Sequence, residues 1–410
     1  MSPGSAAPAG SDSQTDALSY SALFTDPRLL TITFVSFVAT FGSYAASPAL
    51  PSIVSGVGVS SSDVGLVMAA YTLPAVFLLP IAGVLTDMYG RRTVLLPSLL
   101  LFGVAGVAIA FVDSFAAILA LRVLQGVGGA AIIPVAITLI GDLYTGETGS
   151  SAQGIRLSAN GISSIALPAV AGFLAGIAWY HPFLLYGLAI PAAILTYVYV
   201  PETLQKANPT SVVEEIREYA GAIRIEMSDL DMAILLVGGF FQGFSYYALL
   251  TFVPLFAVDS LQATVFLAGA VLSARGVARI VLSPASGTLL RYVSRKTALV
   301  GSLAITSLGI SLIGLSPSVL WLAALIGLFG IGDALFTPVH RDAITELASE
   351  ERRAGVVSGM VILRQAGTTL SPPLFGLLLL VTGFGTLFAL AAAVYGIYAL
   401  IVLVLFSPDG

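Results

Sequence analysis

Apolar residues run in stretches of about twenty, separated by short polar turns, along nearly the whole chain. The stretches fall at roughly 29–52, 63–86, 92–112, 115–141, 151–177, 182–200, 230–257, 262–289, 296–315, 318–345, 354–380 and 384–406. A hydrocarbon core about 30 Å thick takes about 20 helical residues to cross, so the pattern predicts an all-α membrane protein of twelve transmembrane helices. Residues 1–28 are polar, small and acidic. They lack the basic start and apolar core of a cleavable signal, and read as a disordered cytoplasmic tail. Residues 407–410 form a second, short tail. The one long polar connection, 201–229, separates an N-terminal bundle (29–200) from a C-terminal bundle (230–406). Within it Val213, Ile216, Tyr219, Ala220 and Ile223 recur at helical spacing, which predicts an amphipathic helix on the membrane surface or a solvated linker helix.

Composition narrows the class. Of 410 residues 57% are hydrophobic and 10% charged, against roughly 25% charged in soluble domains. There is no Cys, and the two His, His181 and His340, are too few and too far apart for a metal cluster. No metal, cofactor or nucleic-acid partner is expected. The Lys and Arg near the span ends are Arg28, Arg91, Arg92, Lys206, Arg217, Arg224, Arg291, Arg295, Lys296, Arg352 and Arg353, and all fall on alternate loops on the side of the N-terminus. The positive-inside rule makes that side the cytoplasm, and an even number of spans returns the C-terminus to it. We expect a monomeric, multi-pass protein of the plasma membrane.

Shifting the sequence by 204 residues superimposes the halves: Pro80, Gly83, Arg91, Gly126, Gly128, Pro134, Pro168 and Gly172 meet Pro284, Gly287, Arg295, Gly330, Gly332, Pro338, Pro372 and Gly376. Gly and Pro mark special backbone positions, so their coincidence predicts a tandem duplication and two pseudo-symmetric six-helix bundles. Parallel repeats joined by a long loop place a substrate site between the halves near the membrane midplane.

Three stretches carry candidate chemistry. In "GVLTDMYGRR", Gly83 to Arg92, the glycines Gly83 and Gly90 permit close approach and a tight turn, while Asp87 can pair with an Arg or with the N-terminus of a facing helix. In "RVLQGVGGA", Arg122 lies about eight residues inside a span, where an Arg costs roughly 2.5–3.5 kcal/mol on insertion scales and must face a cavity or a partner. Gly126, Gly128 and Gly129 permit close helix packing. "NGISSIALPAVAG", Asn160 to Gly172, adds Gly161, Pro168 and Gly172 in the fifth span.

With the spans, loop charges and duplication, these stretches resemble the major facilitator superfamily over nearly the whole chain, and in particular its 12-helix drug and proton antiporters. The first resembles the cytoplasmic signature between the second and third helices. It implies that Asp87 and Arg91, flanked by Gly83, Gly90 and Arg92, help to latch the halves together in the outward-open state, with Asp142 pairing with Arg91. The basic residue frequent at the position of Met88 is absent. The repeat copy "GTLLRYVSRK" has Arg291 and Ser294 in place of Asp87 and Gly90, so only the first copy should latch. The second stretch, with Arg122, Gln125 and Gly126, resembles a signature frequent in proton-coupled members. The third resembles the fifth-helix antiporter signature, with Leu167 and Ala171 where that signature has Gly. Read without the resemblance, Arg91 and Arg92 fix topology alone, Arg122 ties neighbouring carbonyls, and Asp142 is a helix-end acid.

The second half has charges with no match in the first. Arg275 and Arg279 share a helix face, Asp333 lies mid-span, and Arg364 lies within the eleventh span; their first-half equivalents are Tyr71, Ala75, Gly129 and Asn160. Three Arg and one Asp leave positive charge unbalanced, so an anion is missing: a substrate carboxylate, Glu346 or Asp342, or water reached by a snorkelling Arg279. Tyr44, Tyr71, Asn160, Gln242, Tyr246 and Tyr247 are candidate walls and hydrogen-bonding groups of the site. Asp333 is either a proton carrier or one half of a permanent ion pair.

No GxSxG, catalytic carboxylate pair or Walker loop is present, which argues against an enzyme and against ATP as the energy source. The sequence thus points to a secondary active transporter working by alternating access, a proton-coupled antiporter exporting a small organic compound. The alternative is an importer or uniporter of a small solute, anionic in one version.

Overall fold

The computed structural model describes residues 20–204, 217, 221, 229–349 and 353–407. The surface helix expected over Val212–Ile225 lies almost wholly outside them. Lipid offers no hydrogen-bond partners, so each crossing must satisfy its backbone internally, and helices do so. The crossings are α1 (Pro27–Gly58), α2 (Leu66–Tyr89), α3 (Arg91–Phe111), α4 (Phe115–Leu143), α5 (Gly146–Ile177), α6 (His181–Tyr199), α7 (Leu230–Asp259), α8 (Val265–Leu289), α9 (Arg295–Leu315), α10 (Val319–Leu347), α11 (Arg353–Leu379) and α12 (Phe384–Leu405). All but α11 are long and apolar enough to span a membrane by composition; α11 carries Arg353, Arg364 and a polar "RQAGTT" face.

Local chemistry sets several helix ends. The carboxylate of Asp26 accepts from the Arg28 N–H at 2.8 Å ahead of Pro27, and the Asp229 carboxylate accepts from the Met232 N–H at 3.0 Å. Thr264, Ser294 and Ser318 cap α8, α9 and α10 in the same way. Two expectations need correction here. The N-terminal tail does not run disordered to residue 28, because Tyr20–Leu23 is helical and Leu23 is buried. The Asp26 carboxylate is also fixed by the Tyr144 hydroxyl at 2.7 Å. The fifth helix starts at Gly146, ahead of the apolar run, since its polar first turns extend past the hydrocarbon.

Glycine contacts trace the duplication in three dimensions. A Cβ on Gly128 of α4 would meet the Ser98 carbonyl and Phe102 nitrogen of α3 at 2.6 Å. On Gly332 of α10 it would meet the equivalent Ser302 carbonyl at 2.6 Å and Thr306 nitrogen at 2.8 Å. Helices of this kind associate through small residues that let backbones approach.

The bundles α1–α6 and α7–α12 meet along two seams, α5 on α8 and α2 on α11. At one seam Gly269 faces the Pro168 carbonyl; at the other Gly65 faces the Pro372 carbonyl at 3.2 Å. Both seams lie toward the face opposite the chain ends, where Ser61 also donates to Asp259 at 3.2 Å. The hydrogen bonds that join the bundles among the described residues reach inward only to mid-depth: Ser273 to the Ile165 carbonyl at 2.5 Å, and Gln365 to the Thr72 carbonyl at 2.9 Å. The terminal face carries Asp26, Arg91, Glu202 and Phe406. Gly83 and Gly287 on that side have open space around them, so close approach at Gly83 is not used in this conformation.

Replacing Gly128 with Ala should destabilise the fold by about 1–3 kcal/mol through overpacking, whereas Gly141→Ala, with nothing near its Cβ, should not lower stability. Thermal unfolding of the two purified variants checks this.

Candidate functional site

On the terminal face the turn between α2 and α3 is built around Gly90, whose φ of 100° suits glycine. Arg91 follows and gathers acids: its Nη2 lies 2.9 Å from Asp87, and its Nε donates to Asp142 at 3.1 Å. Its Nη1 donates to the Thr86 carbonyl at 3.1 Å. The repeat-related Arg295 pairs with Glu346, the equivalent of Asp142, and with Asp342 at 3.0 Å. Among the described residues neither Asp87 nor Arg91 pairs with the second bundle. Arg92 instead lies 4.6 Å over the Tyr197 ring.

A group not singled out in the sequence completes this cluster. Glu202, just after α6, accepts from the N–H groups of Arg91 at 2.8 Å and Thr93 at 3.1 Å, and so caps α3 from outside it. Next to it the Thr203 hydroxyl donates to Asp142 at 2.6 Å. Burial would raise the Glu202 carboxyl, but the donors at Thr93, Leu204 and Arg91 outweigh it and hold its pKa below the ordinary value.

Arg122 is fully buried in α4. Its Nε donates to the Val67 carbonyl at 3.0 Å, its Nη2 to the Gly42 carbonyl at 2.8 Å, and its Nη1 to Gln125 at 2.7 Å and the Tyr186 hydroxyl at 3.3 Å. The guanidinium also sits 4.5 Å over the Tyr71 ring. Gly126 lets α4 press against the Tyr71 carbonyl. No carboxylate is involved, so the geometry is that of a tie between α1, α2 and α4. Of the fifth-helix stretch, Pro168 and Gly172 form the seam with α8, and Gly161 packs on Ile280.

The second-half charges do converge. Asp333, at the midpoint of α10 and 2% exposed, lies 2.8 Å from Arg275 and 3.7 Å from Arg279 of α8. Gln242 of α7 donates to Asp333 at 3.3 Å and to Thr337 at 2.7 Å, and Thr337 donates to Asp333 at 3.3 Å. The Arg275 guanidinium lies 3.9 Å over the Tyr246 ring. Tyr44, from the first bundle, lines one cavity with Arg275, Tyr246, Ser164 and Pro168. Tyr247 accepts from or donates to Ser43 across the seam at 2.6 Å. Glu346 and Asp342, weighed as counterions for these charges, are held by Arg295 instead. Arg364 pairs with no carboxylate among the described residues, and its repeat equivalent Asn160 has a buried Oδ1 without a partner.

The model of the Major Facilitator Superfamily matches residues 32–259 and again 235–410. The chain belongs to the major facilitator superfamily. It is a multi-pass membrane transporter of a small-molecule substrate, and not an enzyme. The multidrug transporter protein MdtP of Bacillus subtilis (strain 168) is 22% identical over 398 residues, covering 83% of this chain and 72% of that protein. The bacillibactin exporter of the same organism is 26% identical over 163 residues, 38% of this chain and 40% of its own length, so the chain spans well under half of that relative. The crystal structure of the nucleoside transporter NupG (D323A mutant) superimposes with a TM-score of 0.79 at 15% identity, over 92% of this chain and all of that one, a likeness of fold.

Within this superfamily fold, sequence reasoning passed over Glu202, Thr337, Arg156 and Arg341. Glu202 gave no signal, being one acid in a polar connection. Arg156 had one: it stands four residues before Asn160, on the same helix face.

Because the Glu202 carboxyl titrates lower when folded than when unfolded, its contribution is present at neutral pH and lost as the pH falls through the folded value. Glu202→Gln should therefore cost about 1 kcal/mol, as for a lost helix cap. The difference from the parent protein in thermal unfolding should shrink as the pH falls through the folded pKa of Glu202, below which the parent's carboxyl is also neutral.

Proposed function

We propose that this transporter is a proton-coupled antiporter that exports a small organic compound by alternating access, with its terminal face in the cytoplasm. The observation that carries the reading is the Asp333–Arg275 pair. Asp333 is the one acid at mid-membrane depth among the described residues, and Arg275 belongs to α8, the helix that forms a seam with the first bundle. A proton on Asp333 cancels its charge and frees Arg275 at that seam, so the protonation state is tied to the packing of the two bundles. Tyr44 and Tyr246 beside Arg275 give the cargo an aromatic wall that both bundles share. Orientation follows from the basic loops. Export is supported by the similarity to proteins named as a multidrug transporter and an exporter.

Asp87 and Arg91 serve in this reading as half of a latch that engages when the cytoplasmic cavity closes. Among the described residues Asp87 is held by Arg91 alone and its side chain is half exposed, ready for a partner on the other bundle.

In proteoliposomes with an imposed pH gradient, Asp333→Asn should lose gradient-driven transport while keeping cargo counterflow, since only proton loading is removed. Full driven transport by the variant would remove Asp333 from this role. If the variant instead unfolds, Asp333→Asn with Arg275→Gln should recover the fold, and its lack of driven transport then carries the test.

Asp87→Asn should slow transport while leaving cargo affinity within about threefold, because it shifts a conformational population rather than the binding contacts. The chain has no Cys, so a single cysteine introduced into the cytoplasmic cavity reports its opening without background. Its labelling should rise in the variant.

A further inference from the structure

The narrow cavity lined by both bundles contains a single charge. Arg275 of α8 stands there among Leu249 and Tyr246 of α7, Leu272 of α8, Ile326 and Phe329 of α10 and Tyr44 of α1, and among the described residues no carboxylate lines the cavity. The guanidinium carbon is 3.9 Å from the centre of the Tyr246 ring and 5.7 Å from that of Phe329, two rings within 4° of parallel. Arg275 Nη2 donates to Asp333 at 2.8 Å, a residue outside the lining. Its Nε, by contrast, is buried and has no hydrogen-bond partner among the described residues, on a side chain 7% exposed. The Ser164 hydroxyl in the same wall already donates to the Gly161 carbonyl at 2.7 Å. A guanidinium cannot shed its proton, and an N–H deprived of both water and an acceptor is costly. The cavity thus offers apolar and aromatic walls and one unmet donor, and what it lacks is an acceptor.

We propose that the cargo binds in this cavity as a flat, uncharged molecule, an aromatic ring bearing a carbonyl oxygen, with the oxygen accepting from Arg275 Nε and the ring lying against Tyr246, Phe329 and Leu272. The proposal rests on the reading of this cavity as the cargo site and names its substrate class. Charge decides between the classes. A cation would meet Arg275 with no carboxylate in the wall to offset the repulsion. A carboxylate would share one guanidinium with Asp333, and two anions on one site repel. A neutral acceptor satisfies Nε and leaves the pair with Asp333 whole. Cargo and the proton proposed for Asp333 then act on different atoms of one guanidinium, the cargo on Nε and Asp333 on Nη2. The narrowness of the cavity and the near-parallel rings beside the guanidinium select a flat body over a bulky one.

The test uses the full chain in nanodiscs at neutral pH. Tritiated acetophenone is bound at equilibrium, with empty nanodiscs as background, and unlabelled ethylbenzene, benzoate and benzylammonium compete with it. The four probes share one ring and differ in the group that would meet Arg275. Acetophenone should bind saturably and about tenfold more tightly than ethylbenzene, the worth of one hydrogen bond to a charged donor, and both ions should bind more weakly than the ketone. Arg275→Lys keeps a cation for Asp333 but removes Nε, and should reduce the ketone to the affinity of ethylbenzene while thermal unfolding shows the fold retained. If that variant unfolds, Leu272→Phe, which narrows the cavity and spares the ion pair, carries the test by losing the ketone. Tighter binding of benzoate or benzylammonium than of the ketone overturns the proposal. So do equal binding of ethylbenzene, the absence of saturable ketone binding, and a ketone preference that survives Arg275→Lys or, where that variant unfolds, Leu272→Phe. None of these readouts involves transport or a pH gradient, so failure of the proton-exchange reading leaves them standing and is seen separately in the Asp333→Asn experiment.

Discussion

Arg122 and Asp333 lie deep within the membrane-spanning bundles, and each stays there because the protein supplies the polar partners that lipid cannot. Their solutions differ in kind. Arg122 is satisfied by two backbone carbonyls, a glutamine, a tyrosine hydroxyl and an aromatic face, all in one bundle. Such a charge cannot be released without leaving those groups bare, so it locks α1, α2 and α4 into one body. Asp333 is satisfied by an arginine and by Gln242 and Thr337. The first bundle therefore holds its buried charge on neutral groups and the second on an ion pair, although the halves share their glycine and proline pattern.

That asymmetry sits on a symmetric frame. The contacts of Gly128 and Gly332 repeat each other, as do those of Gly65 with Pro372 and Gly269 with Pro168, and the salt bridges from Arg91 and Arg295. Close helix approach is bought by small residues whose spacing the duplication has kept. The two seams they build are alike. Among the side chains that differ between the halves are Tyr71 against Arg275, Gly129 against Asp333 and Asn160 against Arg364.

The terminal face adds a further layer. Glu202 and Thr203 bind the start of the connection between the bundles to α3 and Asp142, so the connection leaves from a fixed point beside Asp87.

Twelve crossings, two bundles and the turn at Gly90 were legible in the sequence, because hydrocarbon thickness sets helix length and because Gly and Pro mark backbone positions that a shift of 204 residues brings into register. So was the company of Arg275, Asp333 and Arg364, since an isolated mid-membrane charge needs a partner. The sequence could not say which arginine Asp333 would choose, or that Tyr71 would lie beneath Arg122, because rotation of each helix about its axis is decided by packing against its neighbours.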